Sequence, residues 1–287
     1  MPELPEVEAL RSFLDQRLLG QTIARTELVA FSALKTYQLP LSALHGLEVD
    51  QVTRRGKFIG LGAGGLWLAF HLARAGWLTW KDTMPAAPAR PGRGPLTLRV
   101  VLDDNSGFDL TEAGTQRKLA LYVVNDLAEV PGIASLGPDP MADSFDAAAF
   151  ATILQTAGRS QLKGVLRDQR VIAGIGNAYS DEILHAAKLS PFKPANGLND
   201  DEFERLFTAL KDELTDAVAR SVGLAAKQLK GEKKVGLRVH ARTGEPCDVC
   251  GTTIAEVSFA DSSLQYCPGC QTGGKPLADR RLSRLLK

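Results

Sequence analysis

Apolar residues recur at helical spacing from the start of the chain: Val7, Leu10, Leu14 and Leu18 fall on one side of a helix predicted over residues 5 to 19. Pro5 suits the first helical position, where a missing N–H costs nothing, and Glu6 and Glu8 complement the positive end of the helix dipole. Gly20 is placed to end the helix. From Thr22 to about Val124 the spacing changes to short runs suited to strands, among them Leu47-Glu48-Val49, Lys57-Phe58-Ile59, Leu66-Trp67-Leu68-Ala69-Phe70 and Leu98-Arg99-Val100-Val101-Leu102. Asp104-Asn105-Ser106-Gly107 is a hairpin turn leading into Phe108-Asp109-Leu110. This half predicts a β-sandwich or flattened barrel with one leading helix, interrupted by an exposed loop from Met84 to Pro95.

Pro131-Gly132 and Leu136-Gly137-Pro138-Asp139-Pro140 break the pattern and mark a linker. Helical periodicity follows over residues 144 to 157, around Leu162 to Leu166, from Asn177 to Ala187 and from about Asp200 to Val222. The last of these opens with Asn199 and Glu202 at capping-box spacing and carries the stripe Phe203, Leu206, Leu210, Leu214, Val218. The segment Leu237 to Gln271 has too few apolar residues to fold unaided and needs a staple. The expected organisation is α+β and multidomain: a sandwich over 1–131, a helical domain over 141–236, a small stapled domain over 237–271 and a basic tail over 272–287.

Composition narrows the function classes. With 44% hydrophobic and 23% charged residues, and no run of about 18 apolar residues, the chain reads as an ordinary globular protein without a membrane span. The opening Met1-Pro2-Glu3-Leu4-Pro5-Glu6 lacks a basic segment followed by an apolar one, so the expected location is the cytoplasm, where disulfides are improbable. A net charge of +1 does not itself point to a polyanion. The distribution does more: Lys227, Lys230, Lys233, Lys234 and Arg238 face the single acid Glu232, and Lys275, Arg280, Arg281, Arg284 and Lys287 close the chain. A nucleic acid or a plain solvated surface would both suit that half.

All four cysteines lie in the stapled segment. Cys247 and Cys250 form one CxxC pair and Cys267 and Cys270 another, the spacing of a four-thiolate zinc site on a β-hairpin. Four cysteine ligands leave no open position for substrate or water, so one structural Zn2+ is expected to organise the fold without doing chemistry.

Two further segments carry candidate chemistry. In Ile172-Ala173-Gly174-Ile175-Gly176-Asn177, Gly174 and Gly176 let backbone N–H groups approach an anion at a helix start, and Asn177 adds an amide; an ordinary helix cap has the same sequence. At the amino terminus, removal of Met1 before a small residue would expose Pro2 as a secondary amine. An α-amino group has a reference pKa of about 7.7 to 8.0, leaving a nucleophilic neutral fraction near neutral pH. Attack on an aldehyde-level carbon gives an iminium ion, an electron sink that permits elimination, with Glu3, Glu6 and Lys57 as suppliers of acid and cation. A bare helix lead-in is the competing reading of the same residues.

The opening Met1-Pro2-Glu3-Leu4-Pro5-Glu6-Val7-Glu8, the strand Arg54-Arg55-Gly56-Lys57-Phe58, the turn Gly174-Ile175-Gly176-Asn177-Ala178-Tyr179 and Gly244-Glu245-Pro246-Cys247 together closely resemble the formamidopyrimidine-DNA glycosylase/endonuclease VIII family, in its order and over nearly the whole chain. The resemblance implies a β-sandwich, a helix/two-turn/helix domain and a zinc finger, with damaged double-stranded DNA held between the halves by a monomer that needs no small-molecule cofactor. It implies that Pro2 attacks C1′, that Glu3 is the general acid/base supported by Glu6, and that Lys57 contacts phosphate. It also implies that Lys163 and Asn177 grip backbone phosphates and that elimination cuts the strand.

The sequence departs from the family pattern at four places. Arg74, in His71-Leu72-Ala73-Arg74-Ala75-Gly76, stands where a wedge methionine is expected, and Thr115-Gln116-Arg117-Lys118-Leu119 lacks the usual Arg-Arg-Phe run, leaving Arg117 as the candidate intercalating arginine. Ser262 occupies the place of an arginine that clamps the lesion phosphate, and a hydroxyl does not replace a bidentate guanidinium. Gly223 to Val239 looks shorter than the loop that caps 8-oxoguanine. The expectation is robust cleavage at abasic sites and weaker excision of 8-oxoguanine, with a DNA-binding paralogue lacking useful catalysis as the alternative; an RNA- or ribosome-binding module is disfavoured by Pro2, Glu3, Glu6 and Lys57.

Overall fold

In a computed structural model that describes residues 1–90, 94–259 and 262–278, the first helix, α1, runs Leu4–Leu18 with proline in its first turn. Val7, Leu10, Leu14 and Leu18 are all buried, as their spacing requires. Eight strands follow: β1 Ile23–Leu28, β2 Val49–Arg55, β3 Phe58–Ala63, β4 Leu66–His71, β5 Gly76–Lys81, β6 Leu96–Leu102, β7 Gly107–Glu112 and β8 Ala120–Val124. They form two antiparallel sheets, ordered β1-β6-β7-β5 and β2-β3-β4-β8. Side chains from both sheets, including Leu68, Phe70, Leu78, Leu98, Phe108 and Leu110, share one core with α1, and the Phe70 and Phe108 rings meet at 6.2 Å.

The chain divides into two units, Met1–Leu136 with Arg220–Gly231, and Gly137–Ala219 with Glu232–Lys287. Pro131-Gly132, expected in a linker, instead lies in a helical turn, α2 (Pro131–Ala134), because proline fits the first helical position and Ile133 packs on the small core around Val130. Met84, expected to open an exposed loop, is buried, and its N–H donates to Asn105 O at 2.8 Å; residues 91–93 of that loop lie outside the described ones.

The second unit contains α3 (Ala147–Ala157), α4 (Leu162–Arg167), α5 (Asn177–Ala186) and most of α6 (Asp200–Ser221). Asp146 caps α3, starting it later than the apolar pattern alone suggests, and the Asn199/Glu202 box forms in both directions at the head of α6. Phe145, Phe150, Phe203 and Phe207 stack α3 against α6. Gly223 to Val239 holds a helix not anticipated from sequence, α7 (Leu229–Gly236); Ala226 and Leu229 join the core of the first unit. The hairpin β9 (Ala255–Ser258) and β10 (Ser263–Tyr266) precedes a short helix, α8 (Pro268–Thr272). Of the basic tail, residues 279–287 lie outside the described ones. No described helix is long and apolar enough to cross a membrane.

Candidate active site and nucleic-acid interface

In the first unit, strand register decides which loops share an end of the sandwich. Phe58 pairs with His71 and His71 with Ala120, while Gly76 pairs with Glu112 in the other sheet. The Arg55-Gly56-Lys57 turn, the Leu72–Ala75 turn carrying Arg74 and the 113–119 loop carrying Arg117 therefore project from one end. Gly76 is required there: a Cβ would come 2.1 Å from Leu72 O. Glu112, buried, accepts from the N–H groups of Lys118 (2.8 Å) and Leu119 (2.9 Å) and pins the second loop. Arg74 and Arg117 are exposed, and Arg117 Nη2 donates to Gly94 O at 2.7 Å.

The head of α1 reaches the same end. Glu8 Oε2 accepts from Arg54 Nε at 2.8 Å, and Arg54 Nη1 reaches Gly56 O at 3.3 Å, so one guanidinium ties α1 to the turn presenting Lys57. Pro2, Glu3, Glu6 and Lys57 are all buried. Glu3 and Glu6 form a capping box at the start of α1, in which Glu6 Oε2 accepts from the Glu3 N–H at 2.7 Å. The Pro2 nitrogen still carries Met1 as an amide, so only loss of Met1 makes it an amine. Sequence reasoning missed His71: its ring lies 4.7 Å from Phe58, Nδ1 accepts from the Ala73 N–H at 3.2 Å, and burial, then the charge of Lys57, pushes its pKa down to about 4. A neutral imidazole thus faces the buried lysine at neutral pH.

In the second unit, Gln169 builds the turn before α5, accepting from the Gly174 N–H at 2.9 Å and donating to Ile175 O at 2.6 Å. Gly176 is the N-cap of α5, and Asn177 Nδ2 donates to Ser263 O at 2.7 Å, joining the turn to the β9–β10 hairpin. Lys163, 4% exposed, does not present its amine at the surface: Nζ donates to Asn177 O (3.0 Å), Ser180 Oγ (2.9 Å) and Asp181 Oδ1 (2.6 Å). Three acceptors match the three donors of an ammonium group. Asp181 also accepts from His240 Nδ1 at 2.8 Å and from the Gln265 N–H at 3.3 Å. Glu182 accepts from the N–H groups of Arg238, Val239 and His240, and burial holds its pKa above the usual range.

The four cysteines converge. Sγ separations are 3.3 Å for Cys250–Cys267, 3.4 Å for Cys250–Cys270 and 3.9 Å for Cys247–Cys270. A tetrahedron with Zn–S bonds of about 2.3 Å has edges of about 3.8 Å. The thiols are not paired as disulfides, and they fit one structural zinc. Gly269 completes the second knuckle, since a Cβ there would lie 2.5 Å from Thr252 Oγ1 and 3.0 Å from Cys250 Sγ. His185, which the sequence reading passed over, places Nε2 3.3 Å from Cys247 Sγ. Ser262 is partly exposed, and its carbonyl accepts from the Phe259 N–H across the hairpin turn.

Three family models match the chain: the formamidopyrimidine-DNA glycosylase N-terminal domain over residues 1–119, its H2TH domain over 136–228, and the zinc finger found in FPG and IleRS over 244–273. The formamidopyrimidine-DNA glycosylase of Thermus thermophilus is 34% identical over 284 residues, covering 96% of this chain and 100% of that one. An uncharacterized formamidopyrimidine-DNA glycosylase-like protein of Mycobacterium tuberculosis is 58% identical over 161 residues, 56% of this chain and all of its own. Among solved structures, MutM (Fpg) of Thermus thermophilus superposes with a TM-score of 0.78 at 31% identity, covering 96% of this chain and 100% of that chain. Lactococcus lactis Fpg in complex with abasic-site DNA gives 0.82 at 26% identity, with 94% and 99% covered. Full-length likeness at this level, carried by the same three modules in the same order, shows that the chain belongs to the formamidopyrimidine-DNA glycosylase family.

Proposed function

We propose that the protein is a bifunctional base-excision enzyme, a DNA glycosylase with abasic-site lyase activity that acts through Pro2 after Met1 is removed. The observation that carries this reading is the construction around Pro2: a buried carboxylate pair caps the helix that starts beside it, and the Glu8–Arg54 pair draws the buried Lys57 turn to the same helix. A nucleophile, two acids and a cation are thereby held on rigid elements.

In the proposed sequence the Pro2 nitrogen lone pair attacks C1′ of an everted nucleotide, and the C1′–N bond breaks with its electrons leaving on the base, which takes up a proton. Glu3 protonates O4′ as the sugar ring opens, giving the C1′ iminium ion. The iminium acidifies C2′; loss of that proton expels the 3′ phosphate, and water finally releases Pro2. Glu6, by holding the Glu3 backbone, fixes the nucleophile's direction, and Lys57 offsets the phosphate charge. Gly176 and Asn177 supply backbone and amide donors to a second phosphate at the head of α5, where the dipole favours an anion. Lys163 serves that grip indirectly, by ordering the turn. Arg74 and Arg117 are the candidates to enter the space left by the everted base.

Borohydride reduction in the presence of abasic duplex DNA tests the reading. Protein shown by intact mass to begin at Pro2 should become covalently attached, and protein retaining Met1 should not. Absence of an adduct from the processed form overturns the lyase and leaves a damaged-DNA-binding protein.

A further inference from the structure

Helix α5 sends three side chains, each four residues after the last, onto the segments that carry the zinc ligands. Asn177 Nδ2 donates to Ser263 O at 2.7 Å, Asp181 Oδ2 accepts from the Gln265 N–H at 3.3 Å, and His185 Nε2 lies 3.3 Å from Cys247 Sγ. Spacing of i, i+4, i+8 is one helix face, so the three contacts are a single seam. The first two are ordinary anchors to the hairpin. The third touches a metal ligand.

His185 is 3% exposed, and one of its ring nitrogens lies with the sulfurs of Cys247, Cys267 and Cys270 in a group whose members are all within 4.8 Å of one another. Its other ring nitrogen, Nδ1, is buried without a hydrogen-bond partner among the described residues, so the polar interaction of this imidazole is directed at sulfur. The flanking Ile183, Leu184 and Ala187 are buried and apolar. A histidine in such a place costs stability unless one nitrogen is satisfied.

We infer that His185 is a working part of the zinc centre: it donates its Nε2–H to the Cys247 thiolate and so strengthens the hold of the site on its metal. Four thiolates around Zn2+ leave a formal charge of about −2 in a partly buried place, and an N–H donor aimed at one sulfur spreads that charge. A thiolate only accepts, so the proton belongs on Nε2. The opposite tautomer would set two lone pairs face to face and bury an unpaired N–H on Nδ1. His185 is a positioning residue rather than a ligand, the four sulfurs already filling the tetrahedron. The same contact links the metal to the helix whose first turn contains Asn177.

Zinc affinity of the full chain, measured by competition with a chromophoric chelator, tests the inference without any DNA cleavage, and so stands apart from the reading of Pro2. His185→Phe fills the ring volume but has no donor and should bind zinc about 10- to 100-fold more weakly. His185→Gln restores an N–H and should recover most of that loss. In Co2+-loaded protein the thiolate charge-transfer band should keep four-sulfur intensity in the parent and in both variants. Phenylalanine binding zinc within twofold of the parent overturns the inference; three-sulfur intensity in the parent, changing on loss of the ring, overturns it by placing His185 on the metal. Parent protein labelled with 15N-histidine gives a reading that depends on no variant: a protonated Nε2 on His185 in the zinc-loaded state supports the donor role, and an unprotonated Nε2 overturns it.

Discussion

Replacing Lys163 by methionine separates two functions for this lysine, a phosphate clamp or a buried counter-ion. Its ammonium lies 2.6 Å from Asp181 Oδ1, with side-chain exposures of 5% and 0%. Lys163→Met keeps the length of the side chain and leaves the Asp181 carboxylate buried with, among the described residues, His240 and the Gln265 N–H as partners. Removing one member of a buried ion pair costs about 3 to 5 kcal/mol, and the remaining donors put this case near the low end, about 3 kcal/mol. For a unit of this size that lowers the transition by about 6 to 12 °C. Trp67, Trp77 and Trp80 all belong to the first unit, so their fluorescence reports the sandwich, while far-UV circular dichroism is dominated by the helices of the second. The dichroism transition should fall and the tryptophan transition should stay. Lys163→Met with Asp181→Asn should recover at least half the loss, because no unpaired charge is left. A phosphate clamp makes a different pattern: stability nearly unchanged, and the slope of log affinity for DNA against log salt reduced by about 0.9. Observing that pattern would refute the assignment of Lys163 to the interior.

Three other outcomes are expected. Arg54→Met removes the guanidinium that joins Glu8 to the Lys57 turn; a charged hydrogen bond of about 1.5 to 3 kcal/mol is lost, and single-turnover cleavage at abasic sites should slow on the order of tenfold while tryptophan fluorescence still reports a folded sandwich. The pKa of His71 is held down to about 4 against an ordinary value of about 6.5, so the folded protein resists a proton that the unfolded chain accepts. Stability present above about pH 6.5 should decline by about 3 kcal/mol on the way to pH 4, and His71→Gln should flatten that decline in urea titrations followed by fluorescence; identical pH slopes would contradict the assignment. Duplexes carrying an abasic site should be cut faster than duplexes carrying 8-oxoguanine, and equal rates in the same gel assay would contradict this.

Periodic features of the fold were legible because each is written in neighbouring residues. The stripe Val7, Leu10, Leu14, Leu18 gives α1, the Asn199/Glu202 box gives the head of α6, and the two CxxC pairs give the metal site. What escaped is held together by pairs distant in sequence. Asp181 meets Lys163 eighteen residues before it and Gln265 eighty-four after it, and no local pattern distinguishes such an aspartate from one facing solvent. His185 was invisible for the same reason, its partner Cys247 lying sixty-two residues on. The shared end of Arg74 and Arg117 follows from the Gly76–Glu112 register, which turns and strand propensities alone do not fix. α7 was missed because its basic residues suggested a solvated charged surface, whereas Leu229 gives it an apolar anchor.

On the proposed function, the expected preference for abasic DNA rests on where the cations stand. Everting a paired base costs a few kcal/mol, which the protein must offset by filling the hole it leaves. An apolar side chain does so with little loss of hydration; a guanidinium has to shed part of its water, although its flat face can stack on neighbouring bases. On that reading Arg74 and Arg117, exposed at one end of the sandwich, would bring two such groups, and Arg117 would also have to release Gly94 O to move. An abasic site removes most of this cost, since no base has to leave the stack. Ser262, standing where the family resemblance implies a phosphate-clamping arginine, would act in the same direction: a hydroxyl gives a phosphate far less hold than a guanidinium, so less binding free energy would be available to drive eversion. On the proposed function both departures would therefore penalise intact damaged bases and spare the chemistry at Pro2, and restoring the apolar group alone, Arg74→Met, should raise 8-oxoguanine excision relative to abasic cleavage.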